Sequence, residues 1–190
     1  MYLEGYENVD LEVPGYSFLA RERPDLAELN RTTVDRYYKH DESQATLEGG
    51  PSRAQYCVVD RYAPLDGLPY RPDTVDEIRT VQVLEHVEAK RVPLVLRHWH
   101  ELLKPGGICH VDVPDFEETA RLLLAQPDEP SKDWYYRLVY GSQKNAHAYH
   151  RSGFSPARLE RLLCEAGFRE VRRLPNTLHF YPACIAEGVK

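Results

Sequence analysis

The sequence predicts an α/β fold: a doubly wound, mostly parallel sheet that closes on an antiparallel pair of strands. Three observations carry this expectation. Short apolar runs alternate with helical patterns from residue 76 onward. The stretch KPGG at 104–107 ends a helix and leads at once into a strand. The last two apolar runs, REVRRL (169–174) and HFYPACIAEG (179–188), follow one another with no helix between them. Strands alternating with helices bury their apolar faces as a sheet covered on both sides.

Composition narrows the class of protein. A chain of 190 residues can bury a proper core, and residues 1–190 are expected to form a single domain. The net charge is −6 and no run of Lys or Arg interrupts it, which argues against a nucleic-acid partner. No apolar run approaches the ~20 residues that span a bilayer, so no membrane partner is expected. The opening MYLEGYENVD has neither the basic nor the apolar region of a signal peptide. Cys57, Cys109, Cys164 and Cys184 form no CxxC pair, and a reduced, cytoplasmic protein is expected. Thirteen tyrosines fit half-buried surface better than a dedicated sugar or aromatic site.

The elements follow in order. YENVD (6–10) reads as a short strand ending in an acid. Residues 24–38 read as a helix opened by Pro24 and Asp25 and weakened by Thr32, Thr33 and Val34. Residues 41–54 are polar and glycine-rich, a loop, and QYCVVD (55–60) is a buried strand. DEIRTVQVL (76–84) is the next strand. VPLVLRHWHELL (92–103) is a helix with Pro93 in its first turn and Val92, Leu96, Trp99 and Leu103 at helical spacing. Lys104 favours the negative end of the helix dipole, Pro105 cannot continue the helix, and Gly106-Gly107 permit the positive φ that leaves it. ICHVDVP (108–114) is a strand, and helices are expected from Asp115 to about Leu124 and over 133–140. Residues 155–168 form the clearest helix, with Ser155 as N-cap, Pro156 in the first turn, an apolar stripe of Leu159, Leu162, Leu163 and Ala166, and Gly167 as the stop.

Open α/β sheets bind ligands at the carboxyl ends of their strands. The residues to watch are therefore Asp10, Asp60, Gln82 to His86, and Pro114-Asp115.

The run LPYRPDTVDEIRTVQVLEHV, followed by LRHWHELLKPGGICHVDVPDF, resembles class I S-adenosylmethionine-dependent methyltransferases. It looks closest to the small bacterial kind found among glycan or polysaccharide genes. The matching residues are Leu68-Pro69-Tyr70, Asp73, Thr74, Asp76 and Ile78, then Gln82 to His86, then Leu103 to Gly107. YHRSGFSPARLERLLCEAGFREV and YLEGYENVDL extend the resemblance over nearly the whole chain.

The resemblance implies a Rossmann-like fold, S-adenosyl-L-methionine as cofactor, and a small-molecule or sugar acceptor, a hydroxyl first, in polysaccharide biosynthesis. It places Asp10 on the ribose, Asp60 with Leu65 and Asp66 beside the adenine, and Gln82 and Val83 at the methionine end. His86 and His150 are the candidates for activating the acceptor. Glu85 is weighed with them, against a role as partner of a helix dipole. His147, Tyr149 and Arg151 share the segment of His150.

The match has two gaps. The family begins with a strand and a glycine-rich loop, and this sequence starts where that loop should already be over. Gly49-Gly50 lacks the strand-to-helix context to replace it. The first strand is accordingly expected to be missing, with three explanations open in this order: native N-terminal residues absent from this sequence, another segment or a partner chain (homo-oligomer included) filling the slot, or a degenerate relative that no longer binds the cofactor. Pro64 also stands where the family often has an acid. The rival reading is a non-catalytic binding or scaffold protein derived from such an enzyme. No metal is expected: His98 and His100 are two apart on a helix and cannot face one ion, and no other set has ligand spacing.

Overall fold

The computed structural model describes residues 2–33, 56–176 and 179–190. The chain separates into two compact units, Met1–Pro69 and Tyr70–Lys190.

The first unit is built from short parallel pairs. β1 (Tyr2–Leu3) pairs with β4 (Arg31–Thr32), and β3 (Ser17–Leu19) pairs with β5 (Cys57–Val59). β2 (Val9–Asp10) pairs with β6 (Arg61–Tyr62). Helix α1 (Pro24–Asn30) lays Leu26 and Ala27 on Val58, and Tyr2, Phe18, Ala20 and Tyr56 close round that small core. The helix expected over 24–38 ends early: after Asn30 the chain is extended through Arg31–Thr32. Thr32 and Thr33 stiffen χ1 and favour that extended backbone. The rest of that expected helix lies outside the described residues, as does the loop at 41–54 with Gly49-Gly50.

The second unit holds a four-stranded sheet in the order β7-β8-β10-β9. β7 (Val75–Val81) runs parallel to β8 (Leu103–Pro114). β10 (Ala183–Val189) lies antiparallel to β8 and to β9 (Arg169–Leu174), so the expected antiparallel pair forms. β7 stands at an edge, paired among the described residues with β8 alone. β8 is one of the two inner strands, and Cys109 to Pro114 are all buried. Such a strand is covered on both faces, so its polar members His110 and Asp112 must find partners inside.

Helices α2 (Val92–Leu102) and α5 (Pro156–Ala166) pack on each other beside this sheet. Val92, Val95, Leu96, Trp99 and Leu102 are buried along α2, and Leu159, Leu162, Leu163 and Ala166 along α5. Each fully buried side chain of this size stabilises the fold by about 1.5–3 kcal/mol. Ser155 caps α5 by accepting a hydrogen bond from the Arg158 N–H, and Gly167 ends it at φ 107°. α3 (Phe116–Leu124) starts at Asp115, whose carboxylate accepts the Glu118 N–H. α4 (Asp133–Tyr140) ends at Gly141 with φ 81°.

The abrupt passage from α2 to β8 has a physical basis. Leu103 is already extended, and Val75 pairs with Leu103 whereas Glu77 pairs with Ile108. Residues 104–107 therefore bulge out of the ladder. Gly106 takes φ 80°, and a Cβ on Gly107 would sit 2.9 Å from the Lys104 carbonyl oxygen and 3.0 Å from that of Asp76. Lys104 does not cap the helix; its Nζ pairs with Asp76 Oδ1 at 2.6 Å, inside the bulge. No helix of the described residues is long and apolar enough to cross a membrane.

Candidate active site

β7 ends at Val81, earlier than the expected boundary at residue 84. Gln82 then adopts φ 54°, a left-handed conformation that costs a side-chain-bearing residue energy. The turn aims its side chain across to β8. Gln82 Nε2–H donates to Asp112 Oδ1 at 2.7 Å, and the Gln82 N–H donates to the Asp112 carbonyl oxygen. Asp112 is fully buried, and its other oxygen lies 2.8 Å from His179 Nε2. The buried carboxylate thus receives the partners its burial demands.

After Gln82 and the half-buried Val83, the chain forms a 3-10 turn over Leu84–His86. This turn buries Glu85, which is 1% exposed. Desolvation, reinforced by the negative charge of Asp112, pushes the Glu85 carboxyl up to about 8. Among the described residues, its Oε2 has no hydrogen-bond partner. The backbone of Glu85 is a docking point for a distant segment: its carbonyl oxygen accepts the N–H groups of Arg151 at 2.8 Å and Ser152 at 3.1 Å. Ser152 Oγ–H adds a hydrogen bond to the Val87 carbonyl oxygen.

These bonds bring His150 to His86, with ring centroids 4.9 Å apart and planes at 71°. Each ring is anchored by Nδ1. His86 Nδ1 lies 3.0 Å from the Tyr149 carbonyl oxygen, and His150 Nδ1 lies 2.9 Å from that of Leu138. A carbonyl oxygen only accepts, so both Nδ1 atoms carry the proton and Nε2 bears the lone pair in each neutral ring. Burial, and then the charge of His86, lower His150 to about 4, so it is neutral at physiological pH. His86 Nε2 stands 3.9 Å from Glu85 Oε1. Glu85 and His150 also line one small cleft with Pro114, Phe116, Thr119 and Gly153.

The remaining expected site residues divide by unit. In the second unit, His147 is exposed and its N–H donates to Asn145 Oδ1. In the first unit, Asp10 is half-buried at the end of β2. Its Oδ1 accepts the Leu11 N–H, and its Oδ2 lies 3.2 Å from Cys57 Sγ. Asp60 holds local structure together, because its carboxylate accepts Tyr2 O–H at 2.7 Å and the Asn8 N–H at 2.8 Å. Leu65 is half-buried and Asp66 exposed.

Two participants escape sequence reasoning. Glu85 is weighed there as a site residue, with the partner of a helix dipole ahead, but its burial escapes that reading: it is 1% exposed and, among the described residues, its Oε2 has no partner. His179 carries no signal at all, because only the fold brings it to Asp112. No spacing rule links His86 to His150.

Residues 11–172 match a family described as a methyltransferase domain, and the match runs through both compact units. No curated protein matches the chain. Among solved structures, a SAM-dependent methyltransferase from Archaeoglobus fulgidus is 14% identical, with 100% of this chain and 88% of that one covered and a TM-score of 0.48. The 1,6-didemethyltoxoflavin-N1-methyltransferase of Burkholderia thailandensis, with S-adenosylhomocysteine bound, is 18% identical over 98% of this chain and 72% of its own, TM-score 0.44. A candidate O-methyltransferase from Nostoc punctiforme is 12% identical over 98% of this chain, TM-score 0.47. The chain spans about half, 53%, of the length of that protein.

Proposed function

Because the chain belongs to a family described as a methyltransferase domain, we propose that it moves a methyl group from S-adenosyl-L-methionine to a hydroxyl of a small-molecule or sugar acceptor. The observation that carries the acceptor half of this reading is the Glu85–His86–His150 cluster, held beside a cleft at the strand ends. Exposed aromatic rings in the same unit suit a ring-shaped acceptor: Trp134 stacks on Phe180 with centroids 5.6 Å apart.

The cofactor supplies an electrophilic methyl on a positively charged sulfur. The residues present fit such a group. A carboxylate has roughly four acceptor positions, and Asp10 uses one oxygen on Leu11 and the other on Cys57. Capacity remains for the two hydroxyls of a ribose, the role we assign to it. Leu65 and Asp66 would border the adenine, with Asp60 holding that strand end in place. Gln82 and Val83 would flank the methionine end, where the strained turn keeps their backbone rigid.

In the transfer, the acceptor oxygen forms a bond to the methyl carbon as the carbon–sulfur bond breaks and leaves its electron pair on sulfur. The O–H proton passes to the His86–His150 cluster and on to water. An ether-forming oxygen becomes strongly acidic as the bond forms, so even a weak neutral base suffices. Alignment of nucleophile and methyl supplies much of the acceleration. The rival is a scaffold with no transfer activity. Methyl transfer to a panel of sugars and phenols separates the two: labelled product that is lost in Asp10→Ala supports the enzyme, and no product with any acceptor from a folded, donor-binding chain supports the scaffold.

A further inference from the structure

We infer that Glu85, His86 and His150 form a binding site for one divalent first-row transition ion. Their ligating atoms, one from each residue, lie within 4.8 Å of one another. Tetrahedral ligands on one ion stand about 3.4 Å apart at bond lengths near 2.1 Å. Side-chain movement of about 1–1.5 Å therefore closes the set, and His86, with 28% of its side chain exposed, has room to contribute to it.

Two further observations point to an ion. Glu85 Oε2 is a buried oxygen with no partner among the described residues, and it belongs to a residue that is 1% exposed. Such an orphan is costly in an interior unless something satisfies it. Both imidazoles are also prearranged as ligands. Each Nδ1–H is tied to a backbone carbonyl, of Tyr149 and of Leu138, which fixes the tautomer and presents Nε2 as the donor atom. That is the outer support that ligating histidines require.

The donor set selects the ion. Two neutral imidazoles and one carboxylate suit zinc, manganese or iron, whereas magnesium prefers oxygen ligands and keeps its waters. Three protein ligands leave a coordination position open, and two of them, Glu85 and His150, border a small cleft with Phe116. An acceptor hydroxyl in that position would lose its proton to water more readily, with both histidines then acting as ligands. This role, unlike the binding, rests on the methyl-transfer reading.

The test is titration of the metal-stripped full chain with zinc by calorimetry and with cobalt(II) by visible absorption. One ion per chain is expected, with cobalt bands that excess magnesium does not remove. Glu85→Gln and His150→Gln should each weaken binding by more than the about 10–100-fold that losing an outer hydrogen-bond partner costs. His147→Ala should leave it unchanged. If Glu85→Gln fails to fold in a thermal melt, His86→Gln at the half-exposed position makes the same test. Absence of cobalt bands in a folded chain, or equal affinity in the ligand variants, overturns the site. S-adenosylhomocysteine titrated into the same stripped sample separates the two readings: retained donor-site binding without metal binding sinks only the ion, and metal binding without it sinks only the transfer.

Discussion

At the residue scale, Gln82 carries two opposing burdens. Its φ of 54° is unfavourable, and its amide satisfies a fully buried carboxylate. Both replacements that remove the amide should destabilise the protein, because Asp112 loses a donor worth about 1–3 kcal/mol. They should not do so equally. Glycine accepts the left-handed backbone, whereas alanine keeps the strain, a difference of about 1 kcal/mol. The expected order of melting temperatures is parent, then Gln82→Gly, then Gln82→Ala; alanine melting at or above glycine would contradict the strained-turn account. Gly141 offers a sharper case. A Cβ there would lie only 3.0 Å from the His150 N and closer still to the Ala148 oxygen, at a φ of 81°. Gly141→Ala should displace the His150 segment, read as a loss of the His86–His150 contact in the histidine NMR signals with the α2–α5 core intact.

Residue types are legible in the sequence at this scale, but their company is not. His86 and His150 both stand out as candidates, yet a long stretch of chain separates them. Their approach depends on the Glu85 carbonyl accepting two N–H groups from Arg151 and Ser152, and backbone bonds of that kind leave no trace in side-chain pattern. Glu85 is easily undervalued for a related reason. A glutamate at the start of a helix reads first as a partner of its dipole, and only the turn at Leu84–His86 turns it inward.

At the element scale, the sheet of the second unit carries a charged row across its strands. Arg79, His110, Glu187 and Arg172 are successive cross-strand partners on β7, β8, β10 and β9. His110 Nδ1 lies 3.0 Å from Glu187 Oε1, and Arg172 Nη2 lies 2.8 Å from Glu187 Oε2. Burial is the main cause that lowers His110, and Arg79 adds to it. Hydrogen bonds from His110 and Arg172 hold Glu187 below the usual carboxylate range, against its desolvation. Both shifts act in one direction. An unfolded histidine takes up its proton below about pH 6.5, where the folded His110 still resists it, so stability falls with falling pH from that point. Glu187 adds a second loss below about pH 4.5, as its folded form must also be protonated. The melting temperature is expected to decline from neutral pH into the mild acid range, with a shallower decline in His110→Gln. An identical pH profile in that variant would remove the row from the explanation.

Elements with strong local signals are readable. Ser155, Pro156 and Gly167 mark α5 because cap, first turn and left-handed stop are chemical requirements of any helix. The stop after α2 is readable too, although the strand begins at Leu103 rather than at Ile108. Pairing across a bulge is a tertiary matter, and no local propensity reports it. The first unit is hardest, because strands of two or three residues such as β1, β2 and β4 are held by partners and not by pattern.

At the scale of the whole molecule, the family match extends over residues 11–172. The resemblance assigns the cofactor's ribose to Asp10 and its methionine end to Gln82 and Val83. Binding of the donor therefore tests the account as a whole. The measurement is calorimetric titration of the chain with S-adenosylmethionine and with S-adenosylhomocysteine, repeated on Asp10→Ala. The account predicts one molecule bound per chain in the micromolar range and a severe loss of affinity in the variant. A folded chain that binds neither compound, or an Asp10→Ala chain that binds as well as its parent, would contradict it.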